Sequence, residues 1–160
     1  MEDISKKQAK ILFERAFKQQ RRGNFSEAIA LYSQSIELQP TAEAHTFLGW
    51  TYGILERYDE AIEQCKIAIG IDPTYGNPYN DIGSYLLTQG RPGEAIAWLE
   101  KATQAERYDS PQFPFINMGQ AYEQQLLFRS AINAYNRAIE IDPLDRVAYG
   151  KRQALIARLN

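Results

Sequence analysis

Glu27-Ala28-Ile29, Glu60-Ala61-Ile62, Glu94-Ala95-Ile96 and Ser130-Ala131-Ile132 are four versions of one tripeptide. Their alanines stand 33, 34 and 36 residues apart. A second small residue keeps the same steps, as Ala16, Gly49, Gly83 and Gly119, always twelve positions before the matching alanine. Pro40, Pro73 and Pro143 follow three of these stretches, the last two within Ile71-Asp72-Pro73 and Ile141-Asp142-Pro143. A fixed period of this length marks a repeat architecture, in which one supersecondary unit buries its apolar face only against its neighbours.

Each unit reads as a helix–turn–helix. Leu48, Tyr52, Ala61, Ile62 and Cys65 recur at helical spacing. Small residues at the two fixed positions let the axes of a helix pair approach, where a larger side chain would push them apart. Gly23 and Gly90 fall between paired helices, where glycine closes a helix in the left-handed conformation at little cost. Glu56 and Leu126 occupy the same place in the other two units. Asn24 with Glu27 predicts a capping box, and Pro92 suits a first helical turn. The pattern predicts eight helices at about 5–22, 25–39, 42–55, 58–71, 78–89, 92–106, 111–125 and 128–141. A ninth, at about 145–159, carries Val147, Ala148, Leu155, Ile156 and Leu159 on an apolar side and Arg146, Lys151, Arg152 and Arg158 on a wet one. It is predicted to cap the last pair. The third unit is two residues longer than its predecessor, and the surplus lies in 106–114, where Ser110 is predicted to cap a helix begun by Pro111.

The arrangement resembles the tetratricopeptide repeat, whose pattern is W-x2-L-G-x2-Y, then A-x3-F, then P. The second unit matches with His45, Leu48, Gly49, Tyr52, Ala61, Cys65 and Pro73. The fourth matches with Phe115, Met118, Gly119, Tyr122, Ala131, Tyr135 and Pro143. The third gives Tyr79, Ile82, Gly83, Leu86, Ala95 and Leu99, and the first Leu12, Arg15, Ala16, Gln19, Ala28, Tyr32 and Pro40. The resemblance implies an all-α fold, a right-handed superhelical α-solenoid of antiparallel helix pairs. It implies one domain over 1–160, with repeats at about 9–41, 42–75, 76–111 and 112–145.

Composition limits the alternatives. The chain has 160 residues, 44% apolar and 24% charged, which fits an ordinary globular domain. No apolar run is long enough for a transmembrane helix, and Met1–Lys10 shows no leader or lipidation pattern, so membrane insertion is not expected. Lipid-anchored pilus-assembly members of the family are therefore not the expected role. A single cysteine, Cys65, fits a reducing, cytoplasmic setting. The net charge of −2 speaks against nucleic acid as a partner. Charge is uneven: the ends are mildly basic, while residues 41–73 hold six carboxylates against two basic groups.

Chemistry is sparse. Phosphate-loop, dinucleotide and zinc signatures do not occur, so no cofactor or metal is expected. His45, the one histidine, takes a large-residue packing position, and Cys65 takes an apolar slot on the partner helix. With no oxyanion hole implied beside them, the chain reads as non-enzymatic.

Function is expected on the concave side, which in the resembled family is lined by the first helix of each pair. Carrying those positions over gives Lys10, Phe13, Glu14 and Phe17; Glu43, Phe47, Trp50 and Ile54; Asn77, Asn80, Asp81 and Ser84; Phe113, Ile116, Asn117 and Gln120. Members that clamp a C-terminal carboxylate use Lys, Asn and Arg there. Phe13, Phe47, Asp81 and Ile116 occupy most of the basic slots here, so such a tail adaptor is not implied. The site expected is a peptide-binding groove of Phe13, Phe17, Phe47 and Trp50, an apolar shelf, with Asn80, Asp81, Ser84, Asn117 and Gln120, an amide-bearing half. The expected partner is a protein segment, extended or helical. The alternative is a homo-oligomer assembled through end or outer helix faces.

Overall fold

The computed structural model describes residues 3–160. Met1 and Glu2, the start of the polar N-terminal stretch, lie outside the described residues. The order is α1 (Ile4–Arg21), α2 (Phe25–Leu38), α3 (Ala42–Ile54), α4 (Tyr58–Ile71), α5 (Asn77–Thr88), α6 (Pro92–Thr103), α7 (Gln112–Gln124), α8 (Phe128–Ile141) and α9 (Arg146–Leu159). Among the described residues there is no β-strand. The fold class is all-α, built from helix pairs. Packing groups the chain into two compact units, Met1–Pro78 and Tyr79–Asn160.

The turns within the pairs share one geometry. Gly23, Glu56, Gly90 and Leu126 all have positive φ, at 81°, 59°, 71° and 61°. The next N–H reaches back five residues in each case: Asn24 to Gln19, Arg57 to Tyr52, Arg91 to Leu86 and Leu127 to Tyr122, at 2.9–3.0 Å. This stop satisfies carbonyls that the helix end would leave open. The turn is thus imposed even where a side chain must occupy the left-handed region.

Several local details differ from the sequence expectation. Asn24 makes no cap bond to the main chain of α2; its Nδ2 donates to Gln19 Oε1 instead. Pro111 sits at the N-cap of α7 rather than inside it, and Ser110 contributes its main-chain carbonyl to Phe113 N–H. Helix α6 ends at Thr103, short of 106. True side-chain caps are Asp3 on α1, Thr41 on α3 and Asp145 on α9.

In the first unit Leu12, Ala16, Ala28, Leu31, Tyr32 and Leu48 form one buried cluster. Gly49 admits α4 closely: a Cβ there would lie 3.0 Å from the Ala61 carbonyl oxygen and 3.2 Å from Cys65 Sγ. Tyr32 is fully buried, and its hydroxyl donates to Gln20 Oε1 at 2.7 Å. Burial raises its pKa well above the ordinary phenol range.

In the second unit Ile116, Ala131, Tyr135, Ala138, Ala148 and Leu155 form the corresponding cluster. Tyr135 donates to Glu123 Oε1 at 2.5 Å, repeating the Tyr32–Gln20 bond at the same twelve-residue separation. Glu123 Oε2 accepts from Arg158 Nη1 on α9 at 3.0 Å, and Arg152 Nη1 donates to Asn136 Oδ1 at 2.8 Å. Helix α9 therefore covers α8 through Ala148 and Leu155, with two arginines fixing it. Val147 and Leu159 do not share that buried side; they are 54% and 48% exposed. The apolar side of α9 is narrower than its composition implies: of the five apolar residues expected on it, only Ala148 and Leu155 are buried.

Candidate binding surfaces

The first unit places its four aromatic candidates together. Phe13 and Phe17 lie on α1, and Phe47 and Trp50 on α3. Phe47 is the hub, with ring centroids 5.2 Å from Phe13, 5.6 Å from Phe17, 5.8 Å from Trp50 and 6.3 Å from Tyr32. The first three pairs meet edge to face, the favoured arrangement for aromatic quadrupoles. Phe13 and Phe47 also pack on the buried cluster, so part of their surface belongs to the fold. Trp50 ends the stack and keeps 44% of its surface exposed; Ile54, one turn further, keeps 42%. The Arg21 guanidinium lies 5.9 Å from the Phe17 ring centre.

Beside this stack is an open cavity of about 520 Å³, lined by Lys6, Ala9, Lys10, Phe13, Ser35, Gln39, Thr41 and Glu43. Among the lining residues, Ser35 donates to the Ala9 carbonyl at 2.7 Å and so ties α2 to α1. Lys10, Phe13 and Glu43 are legible in the repeat register. Ser35, Gln39 and Thr41 are not, because they come from the end of α2 and the following loop.

The second unit organises the amide candidates by bonding them to one another. Asn117 Nδ2 donates to Asn80 Oδ1 at 2.9 Å, and Gln120 Nε2 donates to Asn117 Oδ1 at 3.2 Å. Asn80 is 8% exposed and joins α5 to α7, so it serves packing. Asn117 and Gln120 are half-buried. Ile116 is buried in the core cluster, whereas Phe113 is exposed. Asp81 and Ser84, one turn apart on α5, are half-buried. Desolvation pushes the Asp81 carboxyl up to about 7.

His45 is buried, with Nδ1–H donating to Gln64 Oε1 at 2.8 Å. Cys65 is a buried thiol. The histidine's bond goes to an amide, which holds the ring in place. The pairs Tyr32–Gln20 and Tyr135–Glu123 were not singled out by sequence. Their signal was the twelve-residue separation shared by two tyrosines at equivalent repeat positions.

Tetratricopeptide-repeat models match residues 14–76, and again 77–109 and 115–143. The chain belongs to the tetratricopeptide repeat family, a class of helical-repeat proteins that serve as protein-binding scaffolds. It is 25% identical over 136 residues to anaphase-promoting complex subunit 3 of Schizosaccharomyces pombe, covering 84% of this chain and 20% of that protein. It is 27% identical over 128 residues to small glutamine-rich tetratricopeptide repeat-containing protein 2 of Saccharomyces cerevisiae, covering 74% of this chain and 36% of that one. The chain thus spans about a fifth to a third of the length of these relatives. Among solved structures, Pseudomonas aeruginosa pilF superposes with a TM-score of 0.89 at 20% identity, over 98% of this chain and 71% of that one. PilW, a type IV pilus biogenesis factor, gives 0.81 at 24%, over 88% and 65%. These two likenesses establish the fold. No described helix is long and apolar enough to cross a membrane.

Proposed function

We propose that the first unit holds a segment of a partner protein against the faces of α1 and α3, with Trp50 as the apolar anchor point. The observation that carries this reading is the incomplete burial of the aromatic stack. Phe47 and Phe13 are engaged in packing, but Trp50, with its large amphipathic ring, keeps 44% of its surface exposed. Such rings dominate binding energy at protein interfaces because they bury much area at low conformational cost. The adjoining cavity beside Phe13 offers a place for a neighbouring side chain of the same segment. No chemistry is asked of the protein in this role; it orders a partner by burying part of it.

A peptide-display selection on the wild type and on Trp50→Ala tests the reading. Peptides with a recurring apolar or aromatic residue should be enriched on the wild type. They should lose about 2 kcal/mol, roughly thirtyfold in affinity, on the variant. The melting temperature should stay nearly unchanged. Undiminished peptide affinity together with a lowered melting temperature would make Trp50 a core residue and end the proposal.

A further inference from the structure

We propose that the segment held by the first unit carries an acidic side chain two to four residues from its apolar anchor, and that this carboxylate docks on Lys6 and Lys10 at the cavity beside Phe13. This names the partner's chemistry for the reading given above and rests on it. Lys6 and Lys10 stand one turn apart on α1, and Phe13 and Phe17 continue the same stripe at helical steps of three and four. Helix α1 carries six basic residues against one acidic, Glu14. Both lysines line the cavity of about 520 Å³ and are exposed. Neither makes a hydrogen bond or ion pair with any described residue. The hydroxyls of the lining are already committed: Ser35 donates to the Ala9 carbonyl, and Thr41 accepts from Ala44 N–H. Glu43, the one carboxylate of the lining, lies in the first turn of α3, where the helix N-terminus favours it. Two ammoniums against one carboxylate leave the lining positive, which suits an incoming anion.

The rest of the lining suits the stem of such a side chain. Ala9, Phe13 and the lysine methylenes offer apolar surface, and flexible lysine stems let the ammoniums follow a carboxylate in an open site. The spacing follows from the helices. Lys10 and Glu43 share the cavity, while Phe13 and Phe17 both meet Phe47, so α1 and α3 run side by side in the same direction. From Glu43 to Trp50 is seven residues of α3, about 10 Å of rise. An extended segment covers that distance in about three residues, and the lysine stems take up one residue either way.

The test uses a random peptide library displayed through its C-termini, so that every carboxylate offered belongs to a side chain. On the full wild-type chain, Asp or Glu should be enriched two to four residues from the recurring apolar position. On Lys6→Gln/Lys10→Gln this acid preference should vanish, while the apolar position persists and the melting temperature is unchanged. On Trp50→Ala the apolar preference should weaken, while the acid preference persists among the peptides still retained; the two readings thus fail separately. A selected peptide, synthesised with both ends blocked, should bind about three- to tenfold more weakly once its acid is changed to the amide. That difference should shrink as salt is raised to about 0.5 M. Absence of an acid preference, its persistence in the lysine variant, or equal affinity of the acid and amide peptides would each overturn the lysine seat. A selection with no recurring position of either kind would overturn both readings.

Discussion

Gly119 faces Tyr135 so closely that a Cβ built on the glycine would lie 2.3 Å from the tyrosine's Cε1. The ring cannot retreat, because it is fully buried and tethered to Glu123 through its hydroxyl. Gly83 stands in the same relation to Leu99, with a Cβ at 2.4 Å from Cδ2. The small residue of each first helix is thus matched to the large residue of its partner helix.

Alanine at these two positions should therefore destabilise, although alanine is intrinsically the better helix former. Gly119→Ala and Gly83→Ala should each cost about 1–3 kcal/mol by overpacking. Gly70, Gly93 and Gly150 lie in helices where an added Cβ would meet nothing within 4 Å. Gly70→Ala should instead gain about 0.5–1 kcal/mol. Chemical denaturation midpoints of the three variants check the opposite signs.

Leu126 is 72% exposed and holds φ at 61° in a turn where Gly23 and Gly90 do the same work. A left-handed residue with a Cβ costs about 1–2 kcal/mol, and little packing is lost on removing an exposed leucine. Leu126→Gly should raise stability by about 1 kcal/mol, less the glycine's greater freedom in the unfolded chain. Glu56→Gly should behave alike. A fall in melting temperature for both would mean the side chains matter more than the strain.

Asp81 gives the fold a pH dependence of defined sign. Its carboxyl titrates near 7 when folded, against about 3.9 in an unfolded chain. Between those values the folded chain holds a proton that the unfolded chain has released. The Asp81 contribution to stability is therefore fully present below about pH 4 and is lost as pH rises through the folded value near 7. Asp81→Asn should melt higher than the wild type at pH 8, by several degrees, and the gap should narrow as pH falls to 5. A gap that is the same at both pH values would show that the carboxyl is ordinary.

Cys65 fills the space that Gly49 leaves open, and it is buried. A thiol in that setting should react with an aromatic disulfide reagent only as fast as the protein opens, and promptly once denaturant is added. Fast modification of the native protein would show that the first-unit pair opens locally.

Removal of residues 144–160 would uncover Ala131, Tyr135 and Ala138 and take Arg158 from Glu123. The truncated chain should self-associate or lose its cooperative transition, as expected when a repeat array loses its cap. Light scattering and a thermal melt decide this together; a monomer that melts unchanged would remove the capping role from α9.

The sequence by itself determined the helices, their pairing and the turn positions, since these depend on local periodicity and on small residues at fixed steps. Gly49, Gly83 and Gly119 could be assigned to close helix approaches from spacing alone, and the left-handed turns at Gly23 and Gly90 from residue type. Tertiary structure alone decided which side chains are taken up by packing. Asn80 and Asn117 are 37 residues apart, and only the packing of α5 on α7 turns two candidate ligand contacts into a mutual bond. Phe47 and Trp50 sit three residues apart on one helix, yet one is the hub of a packed stack and the other its exposed end. A register places a residue on a face; whether that face meets water or a neighbouring ring depends on where the next helix lies, which no local pattern encodes. The same holds for Asp81, whose shifted titration follows from the desolvation that neighbouring helices impose.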